Sequence, residues 1–180
     1  MQDLQNRHME YFLKLTHEAE PKLKGAEQKL WMDRLENEYD NLRAAWEWAI
    51  ETDVEMALQL AWALLEFWGA GWHLPESRDW LARLLSYAEG WGQSSKRARA
   101  LIIAGAVASY QRDSVISCQL LEQGLAIAEK NGAAFEIAFA HSMLGRSNFF
   151  RVELTKARKH FETSLVLWRE CGDELDIAVA

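Results

Sequence analysis

The sequence predicts an all-α fold, a right-handed α-solenoid of stacked helix pairs with a period of about 40 residues, and three observations predict it. Apolar residues recur at helical spacing along the chain, and no segment shows the strict alternation of a half-buried strand. Nine Trp against two Pro in 180 residues favour long helices packed by bulky rings, because Pro removes a helix hydrogen bond while Trp fills wide inter-helix gaps. Gly92, Gly132 and Gly172 stand 40 residues apart, each where a helix is expected to stop in the left-handed region.

Taken in order, the first helix is carried by Leu4, His8, Tyr11, Phe12, Leu15 and Ala19, one face of a 3.6-residue period, and Pro21 with Gly25 ends it. Trp31, Leu35, Leu42, Trp46 and Ala49 form a second stripe, read as one long amphipathic helix. Further helices are expected over 54–70, 75–90, 95–111, 114–130, 134–151 and 154–170. Residues 1–52 thus read as a helical pair leading into an array over 53–180 of about three units.

The repeat extends beyond the glycines. Leu81, Leu121 and Phe161 share one column, as do Leu85, Leu125 and Leu165, then Ala88, Ala128 and Trp168, then Ala98, Ala138 and Ala178. Leu64, Ala104 and Leu144 correspond in the preceding helix, and Gly105 matches Gly145. A helix pair cannot bury its apolar face alone and must stack on its neighbour. Because Ala178 falls at a helix start two residues before the sequence stops, the array is expected to belong to a longer protein.

Composition limits the function. With 27 acidic and 20 basic residues the net charge is −7, an unfavourable balance for direct nucleic-acid binding, whose affinity comes largely from phosphate neutralisation. Cys118 and Cys171 form no CxxC and have no ligand-spaced histidine, which fits reduced thiols in a cytoplasmic protein. The most apolar run, Met56 to Trp72, is interrupted by Gln59 and Glu66 and falls short of the roughly 20 residues a membrane span needs.

Two family resemblances follow from particular residues. Leu144-Gly145, then Ala157, Phe161 and Ser164, resemble the tetratricopeptide (TPR) pattern, in which small residues allow a close helix crossing and a large ring plugs it. Asn148 stands where that pattern has Tyr, with Phe149 beside it, and the period exceeds the usual value of about 34. Arg7-His8, Tyr11-Phe12-Leu13, Ala19-Glu20-Pro21, Trp31 to Glu36 and Glu38 to Ala45 resemble the segment that leads into TPR arrays in bacterial STAND-type ATPases, including AfsR-like and LuxR-type regulators. This resemblance implies a nucleotide-binding module and an effector domain elsewhere in the parent protein.

Catalytic and cofactor chemistry finds no residues to carry it. No GxxxxGK[ST] loop occurs, and Gly92-Gln93-Ser94-Ser95-Lys96 reads as a helix stop followed by a Ser cap, with Lys96, Arg97 and Arg99 as a solvated helix start. His8, His17, His73, His141 and His160 make no HExxH and no zinc spacing, and His141 reads as a core histidine. No GxSxG elbow is present. No catalytic residue, cofactor or metal is therefore expected, and a small helical enzyme is the remote alternative.

Binding is expected on the first helices of successive pairs. Helical spacing gives Gln59, Trp62 and Glu66, then Arg99, Ile102, Ala106, Ser109 and Tyr110, then Phe139, Ser142, Arg146 and Phe149 as a mixed aromatic and polar groove. Arg146 is the sharpest candidate, holding a carboxylate or phosphate while Phe149 offers a stacking surface. The alternative is that Arg146 pairs with Glu66 or Glu136. The expected role is a non-catalytic protein-interaction or ligand-sensing domain of a STAND-like transcriptional regulator. Its partner would be a protein or peptide, with a small-molecule inducer and self-association as further candidates, and a free-standing TPR adaptor is the second reading.

Overall fold

The computed structural model describes residues 2–171, which contain helices, turns and loops and no strand. They fall into two compact units that divide between Trp72 and His73. The boundary expected near residue 52 lies inside the first unit, because Val54–Ala63 packs on the two long helices before it.

In the first unit, α1 (Gln2–Ala19) buries Met9, Phe12, Leu15, Thr16 and Ala19. This stripe is narrower than the sequence suggested: Leu4 and Tyr11 are exposed, although Tyr11 packs edge-on against Phe12 with ring centroids 5.0 Å apart. The second stripe is two helices, α2 (Gln28–Asn37) and α3 (Tyr39–Thr52), and not one. Glu38 interrupts them with φ −100° and ψ 6°, off the helical basin, and its carboxylate accepts a 2.8 Å hydrogen bond from Asn41. That break redirects the chain while Trp31, Met32 and Leu35 before it and Tyr39, Leu42 and Trp46 after it all stay buried. The Asp53 carboxylate accepts from the Glu55 and Met56 amides and so starts α4 (Val54–Ala63). A second break at Leu64 (φ −88°, ψ −3°) separates α4 from the short α5 (Leu65–Gly69).

The second unit comprises α6 (Leu74–Ala88), α7 (Ser95–Tyr110), α8 (Ser114–Asn131), α9 (Ala134–Phe150) and α10 (Leu154–Cys171). Each packs on the next, and α7 also packs on α9. Pro75 in the first turn starts α6, the Ser94 hydroxyl accepts from the Arg97 amide to start α7, and the Asp113 carboxylate accepts from the Ile116 amide to start α8. Residues 100–109 of α7 are buried without interruption, as expected of a helix covered on several sides. Gly132 ends α8 in the left-handed region at φ 67° and ψ 29°. Gly92 does not: it follows a 3-10 turn at φ 59° and ψ −135°, a conformation that also favours glycine but is not a helix stop. Gly172 and Ala178 lie outside the described residues.

The 40-residue register is written into backbone geometry as well as sequence. Arg112 and Val152 both take left-handed φ values, 64° and 61°. Around them the same bonds recur: the Arg112 amide donates to Ser109 O and the Asp113 amide to Ala108 O, then Val152 to Phe149 O and Glu153 to Asn148 O. The Ser77, Ser117 and Ala157 amides donate in turn to His73, Asp113 and Glu153 carbonyls. Side-chain crossings repeat too. A Cβ on Gly105 would lie 2.6 Å from Leu121 Cγ, and one on Gly145 would lie 2.7 Å from the Phe161 ring, so at both glycines a larger residue fits only if the facing side chain shifts.

Candidate functional site

Three contacts fix the relation of α7 to α9. Near their N-termini, Arg99 Nη2 and Nε donate to the same oxygen of Glu136 at 2.7 and 3.2 Å. Near their C-termini, Ser147 donates to Ser109 Oγ at 3.0 Å, and Ser117 of α8, 2.8 Å from Ser147 Oγ, donates to the Gly105 carbonyl at 2.8 Å. Beside them, the Arg146 guanidinium lies 4.9 Å from the Tyr110 ring centroid. Partners 36 to 38 residues apart at both ends mean that the two helices run parallel, about one period offset.

Only part of the expected groove is open. Ile102, Ala106 and Ser109 are completely buried, and Phe139 and Ser142 nearly so. Ile102 faces Gly124 across the α7/α8 crossing, and Ser109 is spent on the serine chain that ties α7, α8 and α9 together. Helical spacing identifies which residues share a face but cannot tell that α7 is covered on several faces, and this is why these five were misplaced. Gln59, Trp62 and Glu66 belong to the first unit, where each is half-buried, and Glu66 approaches Lys24 at 4.0 Å. What remains accessible on α7 and α9 is Arg99, Tyr110 and Arg146, all partly exposed, and Phe149, which is exposed.

Arg146 forms neither of the ion pairs considered for it. Glu136 is occupied by Arg99 and Glu66 lies beside Lys24. Among the described residues no carboxylate is at ion-pair distance from Arg146; its guanidinium rests between two aromatic rings, 4.9 Å from Tyr110 and 5.6 Å from Phe150. Its Nε is buried without a hydrogen-bond acceptor. Phe150, not Phe149, supplies the stacking face, and Phe149 packs edge-on against it at 5.9 Å. A second cation, Arg112, lies 4.4 Å from the same Phe150 ring. Phe150 was legible in principle, since it stands one period after Tyr110. Arg112 was not, because its counterpart in the register is Val152.

Two further features are a histidine pair and an apolar cavity. His141 on α9 and His160 on α10 place their Nδ1 atoms 2.9 Å apart, one donating and the other accepting. Burial holds both imidazoles below their usual pKa, helped at His141 by His160 and Lys159. His141 is therefore a satisfied, half-buried histidine, as the sequence suggested, with a partner 19 residues away that no local spacing indicated. Among the described residues no group of three or more His, Cys, Asp or Glu side chains is disposed to hold a metal ion. A cavity of about 140 Å³ opens between α6, α7 and α8, with Arg78, Leu81, Leu85, Val107, Ile116 and Leu120 among its lining residues. The Cys118 thiol is buried, which pushes its pKa up. No described helix is long and apolar enough to cross a membrane.

No protein-family model matches the sequence, and no solved structure does. Curated proteins from Mycobacterium bovis and Mycobacterium tuberculosis are similar to it, each 28% identical over an alignment that covers 96% of this chain. They carry the provisional name of HTH-type transcriptional regulators. The chain spans about a fifth of their length, 20%. Nearly all of it is thus similar to a stretch of much larger proteins assigned to transcription control.

Proposed function

We propose that this chain is a non-catalytic, TPR-like docking and sensing domain within a larger bacterial transcriptional regulator of the STAND type, working in the cytoplasm. The observation that carries the reading is the recurrence, at 40 residues, of the same turn hydrogen bonds and the same glycine crossings in a chain similar to one fifth of transcriptional regulators. Repeated helix pairs that stack in one direction build a right-handed solenoid, whose first helices offer a continuous surface to a partner. Here that surface is the parallel pair α7 and α9, with Arg146 held between Tyr110 and Phe150. The partner is a protein or peptide segment. Contact with DNA belongs to another part of the parent regulator, since the chain carries a net charge of −7 and a helix-turn-helix domain is what the names of its relatives specify.

The test is made in the intact regulator. Deleting the segment that corresponds to 95–171 is expected to leave binding to its promoter in place and to abolish the response of transcription to the physiological signal. Loss of promoter binding with the segment removed, in a protein whose remaining domains are folded, would instead make the segment part of the DNA-binding machinery. A free-standing adaptor would be indicated by a coding sequence that holds nothing beyond this array.

A further inference from the structure

We propose that Arg112 and Arg146 form a site for the dianion of a phosphate monoester, an assignment that rests on reading the α7/α9 face as ligand-binding. Both guanidinium groups lie on one ring, Phe150, at 4.4 and 5.6 Å from its centroid. Among the described residues neither has an ion-pair partner, and acids on the same helices and turns have other partners. Glu136 holds Arg99, Glu153 holds Arg151 and Lys156, and Asp113 accepts from the Ile116 amide at the start of α8. Two like charges brought to one ring repel each other, and the ring faces offset only part of that cost. Within the fold the Arg146 Nε finds no acceptor, so the guanidinium is not satisfied by the protein itself.

The number and kind of donors select the ligand. Each guanidinium carries five N–H groups in a planar fork, so a single carboxylate, with one charge and two oxygens, would satisfy one arginine and leave the other unneutralised. A phosphate monoester brings nearly two charges and three terminal oxygens, which matches two forks in charge and in acceptors. A nucleic-acid backbone phosphate is a diester with a single charge and fits less well. Tyr110 and Phe150 hold the Arg146 fork in place, so little freedom remains to be lost when the anion binds. The left-handed φ of Arg112 belongs to the repeated turn and not to a ligand site, since Val152 adopts the same conformation one period later.

The competing account is that the arginines only compensate the C-terminal ends of α7 and α9, where helix dipoles favour cations. Melting of the whole chain decides between the two, with inorganic phosphate or acetate added at constant ionic strength of about 0.15 M. Phosphate is expected to raise the wild-type melting temperature saturably, and acetate is not. In Arg112→Gln and in Arg146→Gln, titration calorimetry should show phosphate binding weakened by about tenfold or more, the loss expected for one charged hydrogen-bonding group. A phosphoserine peptide that binds more tightly than inorganic phosphate places the group on a protein; equal affinity for a simple sugar phosphate places it on a small molecule. No saturable binding of phosphate, equal binding by both variants, or equally effective competition by duplex DNA overturns the proposal. If Arg146→Ala abolishes partner binding while phosphate compounds neither bind nor compete, the docking face stands and the phosphate site falls.

Discussion

At the residue scale, the structure separates side chains that spacing alone treats alike. Arg146 makes neither of the alternative ion pairs, with Glu66 or Glu136, and lies against two rings instead, so its charge is not used in an ion pair that builds the fold. Arg146→Ala is therefore expected to weaken the cognate partner by about 2–5 kcal/mol if a buried charge pair is lost while moving the melting temperature little; unfolding, or wild-type binding in a partner titration, would make Arg146 structural or idle. The glycines differ in the same way. A Cβ on Gly124 would meet Ile102 Cγ1 at 2.7 Å and the Ala98 carbonyl oxygen at 3.0 Å, and the second of these is backbone that cannot swing aside. Overpacking of about 1–3 kcal/mol then exceeds the gain of about 1 kcal/mol from replacing a helical glycine, so Gly124→Ala should lower stability. Gly145→Ala meets the half-exposed Phe161 ring, which can rotate away, and should lie within about 1 kcal/mol of wild type in a urea titration.

At the element scale, the second unit is tied together by polar chemistry buried between helices. The Ser109, Ser117 and Ser147 chain crosses α7, α8 and α9 with every hydroxyl buried. Removing its middle member leaves two hydroxyls with one partner fewer, so Ser147→Ala should destabilise by about 1–3 kcal/mol in denaturant unfolding. Between α9 and α10 the histidine pair makes stability depend on pH. Both pKa values are lowered by burial, Lys156 and Lys159 oppose protonation at His160, and Glu122 favours it there. The unfolded chain takes up protons near 6.5, the ordinary value, before the folded chain does. Stability is thus full above that pH and falls as pH drops below it. Melting curves between pH 8 and pH 5 should show that decline, and His160→Gln should flatten it; an unchanged slope would remove the pair as its cause.

At the scale of the whole molecule, the described residues offer no phosphate loop, no metal-holding cluster and no helix able to cross a membrane. The purified chain is expected to show no ATP turnover that tracks the protein and no stoichiometric zinc by elemental analysis. ATP turnover would replace a docking role with a catalytic one, and a stoichiometric zinc would overturn the expectation of a metal-free domain. The net charge of −7 adds a further outcome: duplex DNA should not shift with the chain even at micromolar concentrations at physiological salt, where non-specific binders with Kd of about 10⁻⁴–10⁻⁶ M begin to do so.

Helical class, element order and the 40-residue register were all determined by the sequence, because each depends on local chemistry. Apolar spacing selects helix, Asp53, Ser94 and Asp113 cap helices through their own neighbouring amides, and Gly105 and Gly145 mark crossings that recur with the pattern. Three local expectations still failed: the helix breaks at Glu38 and at Leu64 within the expected 54–70 helix, where no Pro or Gly gives warning, and the stop at Gly92, where glycine was used for a different conformation. Burial was decided by tertiary structure alone. A helix face is defined by its own 3.6-residue period, but how many faces are covered depends on neighbours far along the chain. So Ile102, Ser109, Phe139 and Ser142 moved from an open groove into the interior, while Phe150 and Arg112 joined Arg146 at the surface. The same reason explains the His141–His160 contact and the serine chain: pairings between helices are fixed by how backbones approach, and no spacing within one helix encodes them.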